Sequence, residues 1–185
     1  MQINATPKPQ ADAYATPWPL RQRLAQLAWQ VAWLSLCQWT PKPLNPWRLM
    51  VLRLFGATIR GTPFVHQRAR IEHPWNLELH HRACVGDRTA LYSLARIFLG
   101  EGATVAQEAY LCTGTHDFNH PAFALLTSPI LVEPLAFVGA RAFVMPGVTL
   151  GERCVVGAMS VVTRDVAPKA TVVGNPARQV GSVLR

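Results

Sequence analysis

Aliphatic residues recur at every sixth position along the second half of this chain. From residue 132 to residue 167 the sequence divides into the blocks VEPLAF, VGARAF, VMPGVT, LGERCV, VGAMSV and VTRDVA. Each block opens on a large aliphatic residue: Val132, Val138, Val144, Leu150, Val156 and Val162. The fifth position of the last five blocks is small: Ala142, Val148, Cys154, Ser160 and Val166. A helix repeats at about 3.6 residues and a strand at about 2, so a period of six predicts a parallel β-helix with one short strand and one corner per hexad.

The same rhythm extends backward to Ile59, with two interruptions. Aliphatic residues stand at Ile59, Val65, Ile71 and Leu77, at Val85 and Leu91 after a two-residue slip, and at Leu99, Val105 and Leu111 after another. Each slip predicts a widened corner. Between residues 115 and 131 the rhythm fails, which predicts a loop protruding from one face at about 117–131. Loops of this kind often carry functional residues.

Two helices are predicted before the solenoid. The segment from Leu20 to Trp39 contains no proline and has apolar residues at helical spacing, namely Leu24, Leu27, Ala28, Val31 and Leu34. A second helix is predicted from Asn45 or Pro46 to Phe55, with Gly56 as its stop. The predicted organisation is therefore an irregular arm at 1–19, a helical cap at 20–57, a β-helix at 58–167, and a turn and tail at 168–185.

The predicted cap is rich in tryptophan and arginine. Five of the six tryptophans lie in it or just before it, with basic neighbours: Trp18, Trp29, Trp33, Trp39 and Trp47, among Arg21, Arg23, Lys42, Arg48 and Arg53. The open end of a solenoid must be covered to prevent edge pairing, so we expect the helices to cap it. Aromatic rings beside cations also suit an anionic membrane surface, which is a second role for the same segment. The apolar run is too short and too interrupted to span a bilayer.

The positive charge belongs to the front of the chain. The net charge is +8, and residues 1–82 hold ten Lys and Arg against three Asp and Glu, whereas the remainder holds eight against seven. A groove for nucleic acid along the solenoid would show the opposite distribution, so no nucleic-acid partner is predicted. No apolar stretch near Met1 resembles a signal peptide. The four cysteines, Cys37, Cys84, Cys112 and Cys154, lack metal-type spacing and are predicted to be reduced core residues of a cytoplasmic protein.

Four stretches carry a family resemblance: LCTGTHDF (111–118), FVGARAFVMPGVTLG (137–151), VVGAMSVVTRDV (155–166) and GNPAR (174–178). They resemble the hexapeptide-repeat acetyltransferases, in particular the branch named for colanic acid biosynthesis, which is related to the maltose, galactoside and nodulation acetyltransferases. The resemblance covers roughly residues 44–180. It implies a mainly β, left-handed parallel β-helix with an N-terminal helical segment, a homotrimer, and acetyl-CoA bound between subunits without a metal.

The same resemblance implies the activity. We expect an acetyl-CoA-dependent O-acetyltransferase that acts on a sugar hydroxyl, with a lipid-linked or nucleotide-linked intermediate of surface polysaccharide as acceptor. His116 lies where the coil gives way to the loop, and an imidazole with a pKa of about 6.5 can accept a proton from a hydroxyl. The matching histidine of the family has this role. Four further residues are expected near the acceptor: Tyr92, Ser93, Tyr110 and Asp117.

Ser93 resembles the position at which the galactoside and maltose enzymes carry an asparagine, whereas Tyr92 and Tyr110 could equally be ladder residues.

On the donor side, the resemblance places ten residues near acetyl-CoA. Phe137, Gly139, Ala140, Gly157 and Ala158 are expected along the pantetheine arm, where main-chain amides grip it and one can serve the oxyanion. Thr163 and Arg164 are expected near the nucleotide phosphates, where a guanidinium suits phosphate. Asn175, Pro176 and Arg178 are expected near the adenine or the ribose phosphate.

Three alternatives remain open at this point. An amine acceptor would make the protein an N-acetyltransferase on an amino sugar. A γ-carbonic-anhydrase-like hydratase would use His80 or His81 with His116 and His120 around zinc. A non-catalytic scaffold would use the Trp-rich front only for docking. Intact donor motifs favour the transferase over the last two.

Overall fold

Two helices precede the solenoid, as the spacing predicts. The computed structural model describes residues 16–183, so most of the predicted arm, residues 1–15, lies outside the described part of the chain. Helix α1 (Leu20–Ala32) continues as a π-helical turn (Trp33–Cys37). A 3₁₀ turn (Lys42–Leu44) then leads into α2 (Asn45–Leu54). Pro46 stands in the first turn of α2, where its missing N–H costs no hydrogen bond, and Gly56 follows with a φ of +90°.

Short strands then wind through about six coils. In chain order, the coils contain β1 (Thr58–Ile59), β2 (Phe64–Val65) and β3 (Arg70–Ile71); β4 (Leu77–Leu79), β5 (Cys84–Val85) and β6 (Ala90–Tyr92); β7 (Ile97–Leu99), β8 (Thr104–Val105) and β9 (Tyr110–Cys112); then, after a hairpin of β10 (Gly114–His116) and β11 (Leu125–Thr127), β12 (Ile130–Val132), β13 (Phe137–Val138) and β14 (Phe143–Val144); β15 (Thr149–Leu150), β16 (Val155–Val156) and β17 (Val161–Val162); and β18 (Ala170–Val173), followed by β19 (Arg178–Ser182).

The coils stack into three parallel sheets that form the faces of a prism. Face A holds β1, β4, β7, β12 and β15; face B holds β2, β5, β8, β13, β16 and β18; face C holds β3, β6, β9, β14 and β17. The six aliphatic residues that open the hexads are each no more than 1% exposed. They stack in register inside the prism, so the parallel β-helix predicted from the period of six is confirmed.

The corners of the regular coils use a left-handed backbone. The third residue after each of the first five inward aliphatics, Val132 to Val156, has φ between 58° and 83°: Leu135, Arg141, Gly147, Arg153 and Met159. This conformation costs about 1–2 kcal/mol for a residue with a Cβ. The ladder hydrogen bonds on both sides of each corner offset that cost.

Both slips fall at the edge between faces C and A. The first is a 3₁₀ turn at Pro74–Asn76, and the second lies between β6 and β7. Leu79, not Leu77, pairs with Ile59 and continues the ladder, so the first slip lies before this strand and the prediction that used Leu77 was wrong by two residues. Leu77 and Leu79 are both buried because alternate residues of one strand share a face, and the two candidates therefore look alike in the sequence.

Two predicted boundaries differ from the structure. The protruding segment is an antiparallel hairpin, β10 with β11, and Ile130 already belongs to face A. The solenoid also continues past Ala167, because β18 pairs in parallel with β16. Strand β19 then folds back on β18 in an antiparallel pair, within the segment predicted as a turn and tail.

The helices cover the first coil through two buried indoles. Trp29 and Trp33 donate to the carbonyls of Ile71 (2.7 Å) and Ala69 (3.0 Å). The fully buried Arg48 donates to Val65 O and Thr40 Oγ1, and also to the carbonyls of Pro41 and Lys42. Cys37 and Cys154 are buried and Cys84 and Cys112 are half-buried, all four as free thiols. Within residues 16–183, no helix is long and apolar enough to cross a bilayer.

Candidate active site

His116 ends the first strand of the hairpin with its ring exposed. Its Nδ1 lies 2.7 Å from the carbonyl oxygen of Phe123. A carbonyl oxygen can only accept, so Nδ1 carries the hydrogen in the neutral ring and Nε2 keeps its lone pair. The hairpin therefore fixes the tautomer in which His116 can take a proton at Nε2.

Phe123 holds this arrangement from the opposite side of the hairpin. It has a φ of +51°, its carbonyl oxygen contacts His116 Nδ1, and its ring centroid lies 5.7 Å from that of the histidine. Phe118 meets Phe123 edge-on at 5.2 Å. Asp117 uses its carboxylate to accept the N–H of Asn119 at 2.9 Å, so it stabilises the hairpin turn and does not orient His116.

A column of side chains leads from the base of the hairpin toward α1. Glu72, Tyr92 and Cys112 each follow the inward aliphatic residue of face C in successive coils. A Cβ on Gly114 would stand 3.2 Å from Cε1 of Tyr92, so a glycine lets the hairpin leave the coil this close to the column. Glu72 accepts a hydrogen bond from Nε2 of Gln26 on α1, and burial raises the pKa of its carboxyl. Glu72 is not among the residues predicted near the acceptor, although its position directly after the inward Ile71 is a signal that the sequence offers.

Tyr92 belongs to this column, and Tyr110 lies beside it in the face C ladder. Tyr110 pairs with Ala90 and Phe143, and its ring stacks on Phe143 at 5.0 Å. The rings of Tyr92 and Tyr110 are 6.2 Å apart. Burial raises the pKa of Tyr110 to about 12 and also raises that of Tyr92, so both remain neutral phenols able to donate a hydrogen bond.

Ser93 does not belong with the tyrosines. Its side chain is fully buried, and its Oγ accepts the N–H of His73 and donates to the carbonyl of the same residue, both at 2.9 Å. The hydroxyl is thus used within the widened corner. This placement contradicts the expectation that Ser93 orients the acceptor.

On the donor side, the glycine amides are already used by the ladder. Gly139 N–H donates to Val156 O and Gly157 N–H to Val172 O, both at 2.8 Å, so of the predicted Gly-Ala pairs the glycine amides are satisfied within the solenoid. The amides of Ala140 and Ala158 have no acceptor in the part of the chain that the structure describes. A Cβ on Gly139 would lie 2.5 Å from the amide nitrogen of Ala158, so this glycine permits the close approach of consecutive coils.

A cleft of about 240 Å³ at the far end of the solenoid brings three predicted residues together. Thr163, Arg164 and Arg178 all line it, next to Asp165 and Gln179. Asn175 and Pro176 stand in the exposed turn before β19 and are not among the residues that line the cleft. Phe137 lies apart from the cleft on face B and is 42% exposed.

The predicted site residues lie along two different edges of the prism. Ala140 and Ala158 stand at the corner between faces B and C. His116, Thr163 and Arg164 follow face C, at the corner that leads to face A. The whole width of face C separates the two groups within one chain.

The histidines of the zinc alternative are separated in the same way. His80 stands at the corner between faces A and B, where its Nε2 contacts Oε1 of Glu78 at 2.8 Å. His81 lies beside Thr62, with Nδ1 3.2 Å from that hydroxyl. Over residues 16–183, no three His, Cys, Asp or Glu side chains form a group that could hold a metal ion. One chain therefore does not bring His80 or His81 together with His116.

Known proteins are similar to this chain in sequence and in fold. Residues 129–164 match the family model described as "Hexapeptide repeat of succinyl-transferase". The chain is 38% identical over 152 residues to the "Putative colanic acid biosynthesis acetyltransferase WcaF" of Escherichia coli (strain K12), covering 82% of this chain and 83% of that protein. A hexapeptide-repeat-containing acetyltransferase of Vibrio cholerae, solved with acetyl coenzyme A, superposes with a TM-score of 0.80 at 22% identity, covering 90% of this chain and 91% of that one. A maltose O-acetyltransferase of Clostridium difficile 630 gives 0.77 at 22% identity, covering 90% of each chain.

Proposed function

Since the chain belongs to the hexapeptide-repeat acetyltransferases, we propose that it transfers the acetyl group of acetyl-CoA to a sugar hydroxyl in the biosynthesis of a surface polysaccharide. The observation that carries this proposal is the 2.7 Å contact of His116 Nδ1 with Phe123 O, which assigns the hydrogen to Nδ1 and leaves Nε2 without a partner among residues 16–183. The substrate class follows the names of the relatives, among them an acetyltransferase of colanic acid biosynthesis and a maltose O-acetyltransferase.

In the proposed reaction, His116 acts as a general base. Its Nε2 takes the proton of the sugar hydroxyl as that oxygen bonds to the thioester carbonyl carbon. The tetrahedral intermediate then expels the CoA sulfur as the C–S bond breaks, and the imidazolium returns the proton to the thiolate. A positioned base contributes roughly 10²–10⁴-fold to such a step.

The two sides of His116 suggest a division of labour. Glu72 and Tyr92 offer a carboxylate and a phenol toward α1, which suits the hydroxyls of a sugar. Thr163, Arg164 and Arg178 at the other end suit the phosphates of the nucleotide. The free amides of Ala140 and Ala158 would hold the pantetheine arm, and one of them would face the oxyanion.

The separation of the two edges supports a homotrimer with its sites between subunits. A ligand that touches His116 and Arg164 on one edge cannot also reach the amide of Ala158 on the same chain without crossing face C. A second copy that presents its corner between faces B and C would complete the site. The acceptor would be a sugar linked to a lipid or a nucleotide, used in the cytoplasm at the inner face of the membrane.

A screen of acceptors tests the activity. Thiol release from acetyl-CoA is measured with hydroxyl sugars and with amino sugars, for the parent protein and for His116→Ala. We expect turnover with a hydroxyl sugar and a loss of roughly 10²–10⁴-fold in kcat for His116→Ala, with CoA binding retained. His120→Ala, at an exposed histidine of the same hairpin, is the matched control and should keep its activity.

Three outcomes would contradict the proposal. Turnover confined to amino sugars would indicate an N-acetyltransferase. Full activity of His116→Ala would remove the general base. Thiol release with none of the sugars, together with no binding of CoA, would favour a scaffold.

A further inference from the structure

The outer side of α1 carries an uncovered apolar stripe. Its residues are spaced by four and three, the spacing of one helical face: Leu20, Leu24, Leu27, Val31 and Leu34. Each of them is at least 57% exposed. This is the periodicity that predicts the helix, and it marks the side that faces away from the solenoid.

The opposite side of α1 is the one that packs on the first coil. Gln22, Trp29 and Trp33 are buried there, and the two indoles donate to the carbonyls of the solenoid. The helix is therefore apolar both toward the solenoid and away from it. A helix with only one packed face needs apolar residues on that face alone. The second stripe calls for a second apolar surface.

Exposed apolar residues also lie on α2. Trp47, Met50 and Leu54 are spaced by three and four on that helix, and all are exposed. The indole N–H of Trp47 donates to Leu36 O at 2.9 Å, which joins the two helices. Trp39, which is 71% exposed, lies between them in the chain. We call the apolar residues of this surface the outer stripe: Leu20, Leu24, Leu27, Val31, Leu34, Leu36, Trp39, Trp47, Met50 and Leu54.

The charge around the outer stripe has one sign. Residues 13–71 contain eight Lys and Arg and no Asp or Glu. Because a helix turns about 100° per residue, Arg21 and Arg23 fall on opposite flanks of the α1 stripe, and both are exposed. Lys42 and Arg53 are exposed beside the α2 part. A second copy of this surface would bring the same positive charge against it, whereas an anionic surface would neutralise it.

We propose that the outer stripe lies on an anionic phospholipid membrane. The leucines and valine enter the boundary between headgroups and acyl chains, Trp39 and Trp47 take the headgroup level, and Arg21, Arg23, Lys42 and Arg53 meet the lipid phosphates. The helices lie in the plane of the surface. This inference stands on the helices alone and does not depend on acetyl transfer. If the proposed function also holds, the contact between Gln26 and Glu72 brings the column of Glu72, Tyr92 and Cys112 next to the membrane-bound helix.

Vesicle co-sedimentation of the full chain tests the inference. The probe is a vesicle of equal parts phosphatidylglycerol and phosphatidylcholine, compared with phosphatidylcholine alone. We expect binding to the anionic vesicle only, and at least a tenfold weaker partition for the combined variant Leu24→Gln, Leu27→Gln, Val31→Gln. Arg21→Gln with Arg23→Gln should weaken binding to the anionic vesicle and reduce its dependence on salt. Val180→Gln, an equally exposed aliphatic position at the other end of the solenoid, should bind like the parent.

Two further measurements keep the test decisive. Mass in solution by analytical ultracentrifugation is recorded for the parent and each variant. Fluorescence of the parent should shift to the blue on anionic vesicles, and the shift should shrink in Trp39→Phe with Trp47→Phe. A parent that does not bind, or glutamine variants that bind as well as the parent, would overturn the proposal. The proposal would also be overturned if the parent did not bind vesicles and the stripe variants had a different mass in solution. The outer stripe would then be a contact between copies of the chain.

Discussion

The three coils before the hairpin follow the six-residue repeat less regularly than the coils after it. After the hairpin, the hexads run from Val132 to Val162 without a slip, and Ser160 is the sole buried polar residue in the described part of that half. Before the hairpin, two corners are widened, and buried polar residues are frequent: His66, His73, Thr89, Ser93 and Thr113. The regular half approximates an ideal scaffold. The irregular half accommodates polar groups whose hydrogen bonds must be satisfied one by one.

We propose that this difference places acceptor specificity at the front of the molecule. The small outward residues of the rear coils leave main-chain groups accessible, which suits a donor common to many enzymes. We propose that the front coils supply the individual side chains, Glu72 and Tyr92, that distinguish one acceptor from another. Three sets of variants test this division, beginning with the residue that anchors the helices to the front coils.

The largest effect is expected for the buried guanidinium of the cap. Arg48 donates to four oxygen atoms and is fully buried, so Arg48→Ala leaves those acceptors without partners. We expect the free energy of unfolding to fall by about 3 kcal/mol or more. Arg53→Ala, on the exposed side of the same helix, should stay within about 0.5 kcal/mol of the parent. Urea unfolding measures the free energy of unfolding of both variants. Equal losses in the two variants would show that Arg48 does not anchor the helices.

The second prediction concerns the pH dependence of stability in the front coils. Burial lowers the pKa of His73 from 6.5 to about 4, and burial also lowers that of His66. Between pH 6.5 and about pH 4, the unfolded chain binds a proton at His73 that the folded chain does not bind. The free energy of unfolding therefore falls as the pH falls. We expect a loss of about 2 kcal/mol from His73 between pH 7 and pH 5.

Urea unfolding at the two pH values checks this expectation. The pKa of Glu78 is lowered to about 2, so its contribution is lost only below its usual pKa of 4.5 and stays outside this window. His73→Leu should flatten the pH dependence, leaving the part that belongs to His66 and, with the opposite sign, the part that belongs to Glu72, whose pKa is raised by burial. An unchanged slope in His73→Leu would show that His73 is not the group that titrates.

The smallest effects should separate the two halves most directly. Arg164→Ala removes a guanidinium from the rear cleft and should raise the KM for acetyl-CoA about three- to tenfold, with little change in the acceptor KM. Glu72→Gln keeps the shape of the side chain without its charge and should raise the acceptor KM by a similar factor, leaving that for acetyl-CoA.

Steady-state kinetics with each substrate varied in turn gives both constants. Arg153→Ala, at a neighbouring corner outside the cleft, is the control and should leave both unchanged. If either variant raised both constants equally, the division between donor and acceptor halves would not hold.

The regular half could be predicted from the sequence because each hexad repeats one physical environment. Val138 and Val156 are interchangeable inward residues, and their spacing reveals the coil directly. The left-handed corners are equally periodic, although Arg141 and Met159 carry no obvious turn signal, since their conformation is imposed by the stack.

The front half could be predicted only in outline. Leu77 and Leu79 point the same way, so the ladder position is settled by pairing with Ile59, a contact distant in the chain. Ser93 looked available because nothing local shows that His73 uses its hydroxyl. The apolar spacing of α1 located the helix and not its buried side, because tryptophans at a different angle pack on the solenoid.

The hairpin leaves the prism at a place where the stack itself is unbroken. Strand β12 pairs directly with β7 although the hairpin separates them in the chain, so the coils above and below meet as if nothing had been inserted. A segment attached in this way can be lengthened, shortened or exchanged with little disturbance to the scaffold. In evolution, the hairpin of such a chain can therefore change in sequence and length, and with it the substrate, while the solenoid keeps its structure.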